Sequence, residues 1–250
     1  MCRRAQIMKI KDFQITKGMK INMKLKKTVA LFLAVAFSIP VSANAASFVD
    51  VRGHWAEATI KSLADKGVVK GVTSTRFNPD GNVTRAEFLK MMMEVTDIAT
   101  SAYRYGECLD ANGSDWFSPY LQSALDRGLI PQDMIAGYSV KVVKSDNGST
   151  RAVYEGAFNG NISISREEMA YLTQELFQYT RNARTMNALK TAEEITFSDA
   201  SNISPWAYDT VSLACAQGFI TGMGDNRFEP KQTATRAQAA TIVSRVMDAE

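Results

Sequence analysis

Three arginines stand where the sequence predicts that a helix begins. Each follows a Ser or Thr, and a Glu or Gln lies three residues after that hydroxyl, which is the capping-box pattern of a helix start. The three segments are residues 83–88, 164–169 and 234–239. The N-terminus of a helix favours anions, and a planar guanidinium group suits a carboxylate. Arg85, Arg166 and Arg236 are therefore candidate binding residues for an acidic ligand.

The residues upstream of these arginines recur with the same spacing. A Phe lies 8 residues before each Arg, a Trp lies 12 residues before a Gly, and an Asp precedes each Trp. These landmarks are Phe77, Phe158 and Phe228, then Trp55, Trp116 and Trp206, and then Asp50, Asp110 and Asp199. The distance from Gly to Arg is 18 residues in the first and third copies but 38 in the second. The sequence therefore indicates three copies of one motif, with a 20-residue insertion in the second.

We expect the copies to occupy residues 46–103, 104–190 and 191–250 and to fold together as one domain. Each copy reads as helix, loop, helix, with an amphipathic face that is too small to form a core alone. The predicted fold is mainly α, in which three helix-loop-helix units close a pseudo-threefold three-helix bundle. The helix that begins at Arg166 is expected to continue to about Leu189.

The insertion, at about residues 133–155, predicts a different local structure. Residues 138–143 and 150–154 alternate in places between apolar and polar side chains, and Asp146-Asn147-Gly148 between them is a strong turn signal. We therefore expect a β-hairpin, residues 138–154, that stands out from the helical body.

The first 45 residues are interpreted as a processed segment rather than as part of the fold. Residues 23–45 have the basic start, short apolar stretch and small-residue cleavage site of a secretory signal. Their apolar stretch is shorter than the roughly 20 residues that span a membrane, so no membrane span is predicted. Residues 1–22 are either an upstream mis-start or an unusually long beginning of the signal.

Removal of this segment would reverse the net charge of the chain. Nine of the 29 basic residues but only one of the 26 acidic residues precede Ala46, so the formal charge changes from +3 to −5. A broadly acidic chain argues against nucleic acid and anionic membranes as partners. An acidic ligand would have to be recognised by local arginines.

The motif resembles a known family at several points along the first copy. Residues 48–87 contain, in order, Phe-Val-Asp-Val, His-Trp-Ala, Gly-Val-Val-Lys-Gly-Val, Phe-Asn-Pro and Thr-Arg-Ala-Glu. This order resembles an S-layer homology (SLH) repeat, and three tandem copies resemble the SLH cell-wall-binding domain of Gram-positive bacteria. The resemblance implies a pseudo-trimer whose grooves bind secondary cell wall polymers, commonly through a pyruvate ketal on a sugar.

The resemblance also implies which residues bind the polymer. The expected set is Arg85 and Arg236, Asp50 and Asp199, Trp55 and Trp206, and Gly71 and Gly222, together with Arg166, Trp116 and Asp110 of the second copy. Arginine would bind the ketal carboxylate, the indole would cover a sugar face, and glycine would let the backbone approach closely. The alternatives are core packing for Trp, a cap or turn for Asp, and a surface side chain for Arg.

The second copy departs from this pattern. Cys108, Gly160, Ser165 and Glu167 replace the Phe, Pro, Thr and Ala of the first copy. Glu167 is adjacent to Arg166 and could compete for it, so we expect this groove to be weakened or re-purposed. Cys108 and Cys215 are either buried thiols or a single disulfide bridge.

The predicted function is non-covalent anchoring of a secreted protein to the cell wall or surface layer of a Gram-positive-type bacterium. An enzyme is the weaker reading because the chain has one histidine, no Ser-His-Asp set and no metal-ligand cluster. No catalytic residue, metal or cofactor is expected. The other alternative is a wall-bound adaptor or assembly protein that binds another protein through the hairpin, residues 138–154.

Overall fold

The structure is a computed structural model that describes residues 48–104, 109–144, 147–184 and 194–249. The predicted secretory signal, Cys108 and the end of the helix expected to reach Leu189 lie outside the described residues. The helices are α1 (Glu57–Asp65), α2 (Arg85–Val95), α3 (Ser118–Asp126), α4 (Arg166–Arg184), α5 (Tyr208–Gln217) and α6 (Arg236–Ala249), and the strands are β1 (Ala136–Lys144) and β2 (Thr150–Ala157). Helices outweigh strands among these elements, in keeping with the predicted mainly α class.

The helices α2, α4 and α6 begin at the three arginines because each has a complete capping box. The Thr84 hydroxyl accepts a hydrogen bond from the Glu87 N–H (3.2 Å), and the Glu87 carboxylate accepts one from the Thr84 N–H (2.8 Å). Ser165 with Glu168, and Thr235 with Gln238, make the same reciprocal pair. The capping residues predicted from the sequence therefore fix three helix starts.

Backbone hydrogen bonds join the residues just before these helices into a closed ring. Val83 N–H donates to the carbonyl of Ala234 (3.1 Å), Ala234 N–H donates to Ile164 (2.9 Å), and Ile164 N–H donates to Val83 (3.0 Å). All three side chains are fully buried. Each motif copy thus bonds to both of the others, and α2, α4 and α6 contact one another pairwise.

The inner faces of these helices form much of the core. Their buried residues include Phe88, Leu89 and Met92, then Met169, Leu172 and Leu176, and then Ile242, Val243 and Val246. Tyr179, which the helical period also places inward, is 41% exposed instead. It lies about three turns along α4, whereas the ring that holds the helices together is at their N-termini.

The insertion forms the predicted hairpin. Strands β1 and β2 are antiparallel, with Val143 opposite Arg151 and Lys144 opposite Thr150. Most residues of β1 are exposed, and Tyr138 and Tyr154 pack against the core at the base of the hairpin. The hairpin therefore stands out from the helical body.

None of the helices in the described part of the chain is long and apolar enough to cross a membrane.

Candidate ligand-binding grooves

The three motif aspartates hold the turn that precedes each arginine helix. The Asp50 carboxylate accepts hydrogen bonds from the N–H groups of Phe77 (2.9 Å) and Asn78 (2.8 Å). Asp110 accepts in the same way from Phe158 and Asn159, and Asp199 from Phe228 and Glu229. Both oxygens of each aspartate are therefore used inside the protein. This geometry favours the turn-forming alternative over direct contact with a polymer.

Two of these aspartates have pKa values below the ordinary value. Burial alone would raise the pKa of Asp50 and of Asp199, but the two backbone N–H donors and a nearby arginine outweigh it. The residue that donates the second N–H is left-handed in each copy, with φ of 59° at Asn78, 54° at Asn159 and 59° at Glu229. Asn adopts this conformation more readily than Glu.

Each motif arginine reaches across to the next copy. Arg236 donates from Nε to the Phe77 carbonyl (2.9 Å) and from Nη2 to the Lys70 carbonyl (2.9 Å). Arg166 donates likewise to Phe228 (2.8 Å) and Thr221 (2.7 Å). The guanidinium carbons of Arg236 and Arg166 lie 4.7 and 5.0 Å from the centroids of the Phe77 and Phe228 rings. Part of each guanidinium therefore holds the protein together.

The first-turn N–H groups of the helices do not point at a ligand. Arg85 N–H and Ala86 N–H donate to the carbonyls of Ile162 and Gly160, and the same two positions of α4 and α6 donate to carbonyls of the third and the first copy respectively. The third N–H of each helix donates to the capping hydroxyl. The expectation that these N–H groups would assist anion binding is therefore wrong, and the side chains carry whatever recognition occurs.

A cavity of about 700 Å³ lies at Arg236 and is called the Arg236 groove. Gly71 lines it from the first copy and Trp116 from the second, so three predicted site residues from three copies meet here. Trp116 is 51% exposed, which leaves much of its indole surface open to solvent. Core packing is therefore not its main role.

Positive charge predominates in the Arg236 groove. Four cations line it, Lys66, Lys70, Lys90 and Arg236, against the two carboxylates Glu87 and Glu94. Lys90 pairs with Glu94 at 2.7 Å, and Glu87 Oε1 is 3.7 Å from Arg236 Nη1. Burial lowers the pKa of Arg236, and nearby Glu87 and Asp50 oppose that effect.

A second cavity, of about 240 Å³, lies at Arg166 and is called the Arg166 groove. It is lined by Arg166 from the second copy, Gly222 from the third and Trp55 from the first. Trp55 is 65% exposed, whereas Arg166 is only 2% exposed and forms part of the floor. Arg245 adds a second cation, and no carboxylate of the described residues lines this groove. Burial lowers the pKa of Arg166 to about 10, so the side chain is protonated at neutral pH.

The third arginine, Arg85, is occupied by an internal carboxylate. Glu168 accepts from Arg85 Nε (3.3 Å) and from Nη2, while Arg85 Nη1 donates to the carbonyls of Phe158 (2.7 Å) and Met134 (3.1 Å). Both side chains of this pair are 11% exposed. Trp206, the third motif tryptophan, is partly buried with its ring centroid 5.3 Å from that of Tyr171.

The glycines of the two grooves are required by internal packing. A Cβ at Gly71 would lie 2.4 Å from a ring carbon of Phe48 and 2.4 Å from the Thr73 carbonyl oxygen. A Cβ at Gly222 would lie 2.8 Å from the Phe197 ring and 2.8 Å from the Arg227 carbonyl oxygen. The close approach that these positions permit is therefore made by the protein's own atoms.

The expected competition between Glu167 and Arg166 is wrong. Glu167 accepts from the Ser204 N–H (3.0 Å) and hydroxyl (2.9 Å) and pairs with Lys231. The Arg166 groove was expected to be weakened or re-purposed. The arginine that an internal carboxylate occupies is Arg85. Cys215, for which a disulfide with Cys108 was one alternative, is a free thiol in α5.

Sequence reasoning missed several residues of these grooves. Lys66, Lys70 and Lys90 lie outside the motif landmarks, and Glu87 and Gln238 were interpreted only as helix caps. A signal for the capping residues was present, since they occupy the same position in every copy but differ in charge. Across the described residues, no group of three or more His, Cys, Asp or Glu side chains could hold a metal ion.

Comparison with known proteins places two segments in one family. Residues 47–89 and 196–240 match the S-layer homology domain, and they contain the Arg85 and Arg236 landmarks. The middle copy lies outside these two matches.

Several larger proteins are similar to most of the chain. An amylopullulanase of Thermoanaerobacterium thermosulfurigenes is 32% identical over 197 residues, which are 79% of this chain and 9% of that protein. The exoglucanase XynX of Acetivibrio thermocellus is also 32% identical over 197 residues, or 79% and 16%. The S-layer protein sap of Bacillus anthracis is 27% identical over 207 residues, or 82% and 22%.

The chain thus spans less than a quarter of the length of these three relatives. Proteins named as different enzymes and as surface-layer proteins share this same region, so the similarity follows the region and not a catalytic activity. Two segments of the chain, residues 47–89 and 196–240, thus belong to the S-layer homology family.

Proposed function

We propose that this chain holds its protein at the cell wall by binding an acidic secondary cell wall polymer in the Arg236 and Arg166 grooves. S-layer homology domains and surface-layer relatives support attachment at the cell surface in general. The finer proposal is that the polymer carries a carboxylate, such as a pyruvate ketal on a sugar, and that binding is non-covalent.

The observation that carries this proposal is the composition of the Arg236 groove. It joins a partly buried guanidinium, an exposed indole and two further cations, Lys66 and Lys70, that no described carboxylate pairs with. A ketal carboxylate would lie near Arg236 and the sugar face on Trp116. A charge-assisted hydrogen bond of this kind contributes about 1.5–3 kcal/mol.

The proposal includes the architecture that forms these grooves. The three copies, residues 46–103, 104–190 and 191–250, would act as one closed pseudo-threefold unit. The cyclic bonds among Val83, Ile164 and Ala234 support this arrangement. Each groove takes its arginine, glycine and tryptophan from different copies, so no copy would bind alone.

Two grooves on one chain suit a repetitive polymer. Each site alone would bind modestly, and engagement of both by one polymer can raise the apparent affinity by roughly 10²–10⁴. The chain would be exported by the signal at residues 23–45 and retained at the surface. Binding rather than catalysis is the role that fits a region shared by relatives with different activities.

The experiment that tests this proposal is co-sedimentation of the full chain with purified cell walls, before and after the secondary polymer is chemically removed. Binding should be lost on removal. Arg236→Ala should weaken binding to intact walls about 10-fold or more, since one charge-assisted bond is lost. Arg52→Ala, an exposed arginine outside both grooves, is the matched control and should bind as the parent does.

Because Arg236 also bonds two carbonyl groups, a second variant separates binding from folding. Lys66 and Lys70 are exposed, so the double substitution Lys66→Ala with Lys70→Ala should leave thermal unfolding unchanged and still reduce wall binding. Binding that survives removal of the polymer, or that is unaffected by both groove variants, would contradict the proposal.

A further inference from the structure

Two motif arginines face the capping Glu of a neighbouring helix, and the third shares its groove with a capping Gln. Glu168 at the third position of α4 faces Arg85, and Glu87 at the third position of α2 faces Arg236. Gln238, at the third position of α6, lines the same groove as Arg166. The three positions are equivalent in the motif, but their charges and distances are not.

Glu168 binds Arg85 as the carboxylate of a ligand would. Its two oxygens take Nε and Nη2 of the guanidinium side by side, which is the geometry in which arginine binds carboxylates most strongly. The remaining nitrogen, Nη1, is used by two carbonyl groups. All three guanidinium nitrogens therefore have partners within the protein.

Gln238 leaves Arg166 without such a partner. Its amide oxygen accepts from the Thr235 N–H (3.1 Å), and its amide nitrogen lies 3.2 Å from Met223 Sδ. No carboxylate of the described chain pairs with Arg166, although it is almost completely buried. A buried guanidinium at the floor of an open groove therefore has no carboxylate bonded to it, and Asp199 and Glu229 stabilise its charge only from a distance.

Glu87 is intermediate. One of its oxygens accepts from the Thr84 N–H (2.8 Å), and the other lies 3.7 Å from Arg236 Nη1, beyond hydrogen-bond distance. Its side chain is 37% exposed, compared with 11% for Glu168. Solvent screens this pair more than the buried one, and Lys66 and Lys70 add positive charge to the same groove.

We propose that the charge and placement of this capping residue decide which grooves accept an external carboxylate: Glu168 closes the Arg85 site from within, whereas Gln238 leaves Arg166 open to ligand. This inference rests on the proposed function and adds the residues that determine which sites are used. It gives the chain two binding sites at Arg166 and Arg236 and a third that its own side chain fills.

The chain provides matched variants for this proposal. Glu and Gln both serve as the cap at this position, since Gln238 caps α6 as Glu168 caps α4. Glu168→Gln therefore keeps a helix cap and removes the internal anion. Gln238→Glu is the reverse change, which brings a carboxylate into the Arg166 groove and retains a capping box.

The test measures binding of the 4,6-pyruvate ketal of a methyl hexoside to the full chain by isothermal titration calorimetry. We expect two sites in the parent, one in Gln238→Glu and three in Glu168→Gln. Asp65→Asn and Asn202→Asp make the same charge changes at exposed positions outside both grooves, and both should retain two sites. A stoichiometry of two in either groove variant overturns the proposal.

A measurement without ligand separates this inference from the proposed function. Proton exchange of the guanidinium NηH₂ groups, followed by nitrogen NMR, should be slow for Arg85 in the parent and faster in Glu168→Gln. For Arg166 it should become slower in Gln238→Glu. Unchanged exchange in both variants overturns the gating role, whereas a parent that binds neither the ketal nor walls overturns the proposed function alone.

Discussion

The three copies are nearly identical in the ring of backbone bonds at the helix starts. They differ at the three arginine sites outside that ring. In the ring, Val83, Ile164 and Ala234 make the same contact with the same direction and nearly the same length. At the arginine sites, one position is filled by Glu168, one has a partly screened Glu87 and one has the neutral Gln238. The repeated motif therefore fixes the scaffold, while single side chains make the sites unequal.

The residues of the repeated motif therefore have two roles, one in stabilising the fold and one in binding. The aspartates, capping hydroxyls and glycines act on the protein's own backbone and have equivalents in every copy or nearly so. The tryptophans and the capping Glu and Gln side chains differ in exposure from one copy to another. A substitution in the first group should change stability, and one in the second should change binding.

The largest effect should come from Arg85, where the two roles overlap. Arg85→Ala would leave Glu168 partly buried and without its cation, and would free the carbonyls of Met134 and Phe158. Breaking a buried ion pair in this way costs about 3–5 kcal/mol of unfolding free energy. Urea denaturation monitored by circular dichroism would measure it, with Arg52→Ala as the control.

The double variant Arg85→Ala with Glu168→Gln sharpens this prediction. It removes the unpaired charge of Glu168, so it should be more stable than Arg85→Ala alone. Together with the two single variants it completes a double-mutant cycle, which gives the coupling free energy between the two side chains. Equal stability of Arg85→Ala and the double variant would mean that the unpaired charge of Glu168 is not what destabilises Arg85→Ala.

A smaller effect is expected at Asp199, which belongs to the scaffold. Asp199→Asn would weaken two charge-assisted bonds to the N–H groups of Phe228 and Glu229 and cost about 1.5–3 kcal/mol at pH 7. The folded pKa lies below the unfolded value of about 3.9. The contribution of the carboxylate is therefore complete above that pH and is lost as the pH falls through the folded pKa.

Unfolding measured between pH 7 and pH 2 would test this assignment. The stabilities of the parent and of Asp199→Asn should converge in acid, whereas Asp65→Asn, at an exposed position, should follow the parent throughout. A constant difference between parent and Asp199→Asn across the range would show that the ionised form is not what holds the turn.

The smallest effect is expected at the left-handed turn position, where the third copy has Glu instead of Asn. Glu229 is left-handed at the position where the other copies have Asn78 and Asn159. Glu229→Asn should stabilise the protein by about 0.5 kcal/mol, because the relief of about 1 kcal/mol of backbone strain is offset by loss of the exposed pair with Arg227. Thermal unfolding should show a small increase in midpoint.

The reciprocal substitution Asn78→Glu makes this last prediction decisive. It should destabilise the protein by about 0.5 kcal/mol, because the backbone strain of about 1 kcal/mol is partly offset by a pair with Arg76, which precedes residue 78 as Arg227 precedes Glu229. A loss of stability in Glu229→Asn together with no change in Asn78→Glu would contradict the assignment of strain to this position.

Local features were predictable from the sequence because their causes are local. The helix starts at Arg85, Arg166 and Arg236 depend on residues three apart, and the hairpin depends on alternation around one turn. The repeat spacing placed equivalent residues in equivalent surroundings. Long-range bonding was not encoded in this way: Arg85 and Glu168 are 83 residues apart, and nothing in the spacing indicates that they meet.

Glu167 and Glu168 show why the predicted partner of Arg166 was wrong although the helix start was predicted correctly. Glu167 and Glu168 point in directions about 100° apart around α4. Glu167 consequently faces Ser204 and Lys231, while Glu168 faces Arg85. Proximity in sequence to Arg166 favoured Glu167 as the competitor, but helix geometry turns it away.

The tryptophans could not be assigned by pattern either. Trp55, Trp116 and Trp206 have the same spacing, yet two are more than half exposed and the third packs against Tyr171. Whether a tryptophan lines a groove or packs in the core depends on which side chains the adjacent copy places beside it. The backbone bonds between the copies determine which copy is adjacent.

The bond between Arg236 and the Lys70 carbonyl spans 166 positions of the chain. A ribosome releases the chain from its N-terminus, so the first copy is complete long before the segment that closes its groove exists. Contacts of such separation form slowly, because a long loop must be ordered before they contribute. The Arg236 groove is consequently a late product of folding, assembled only after all three copies have emerged.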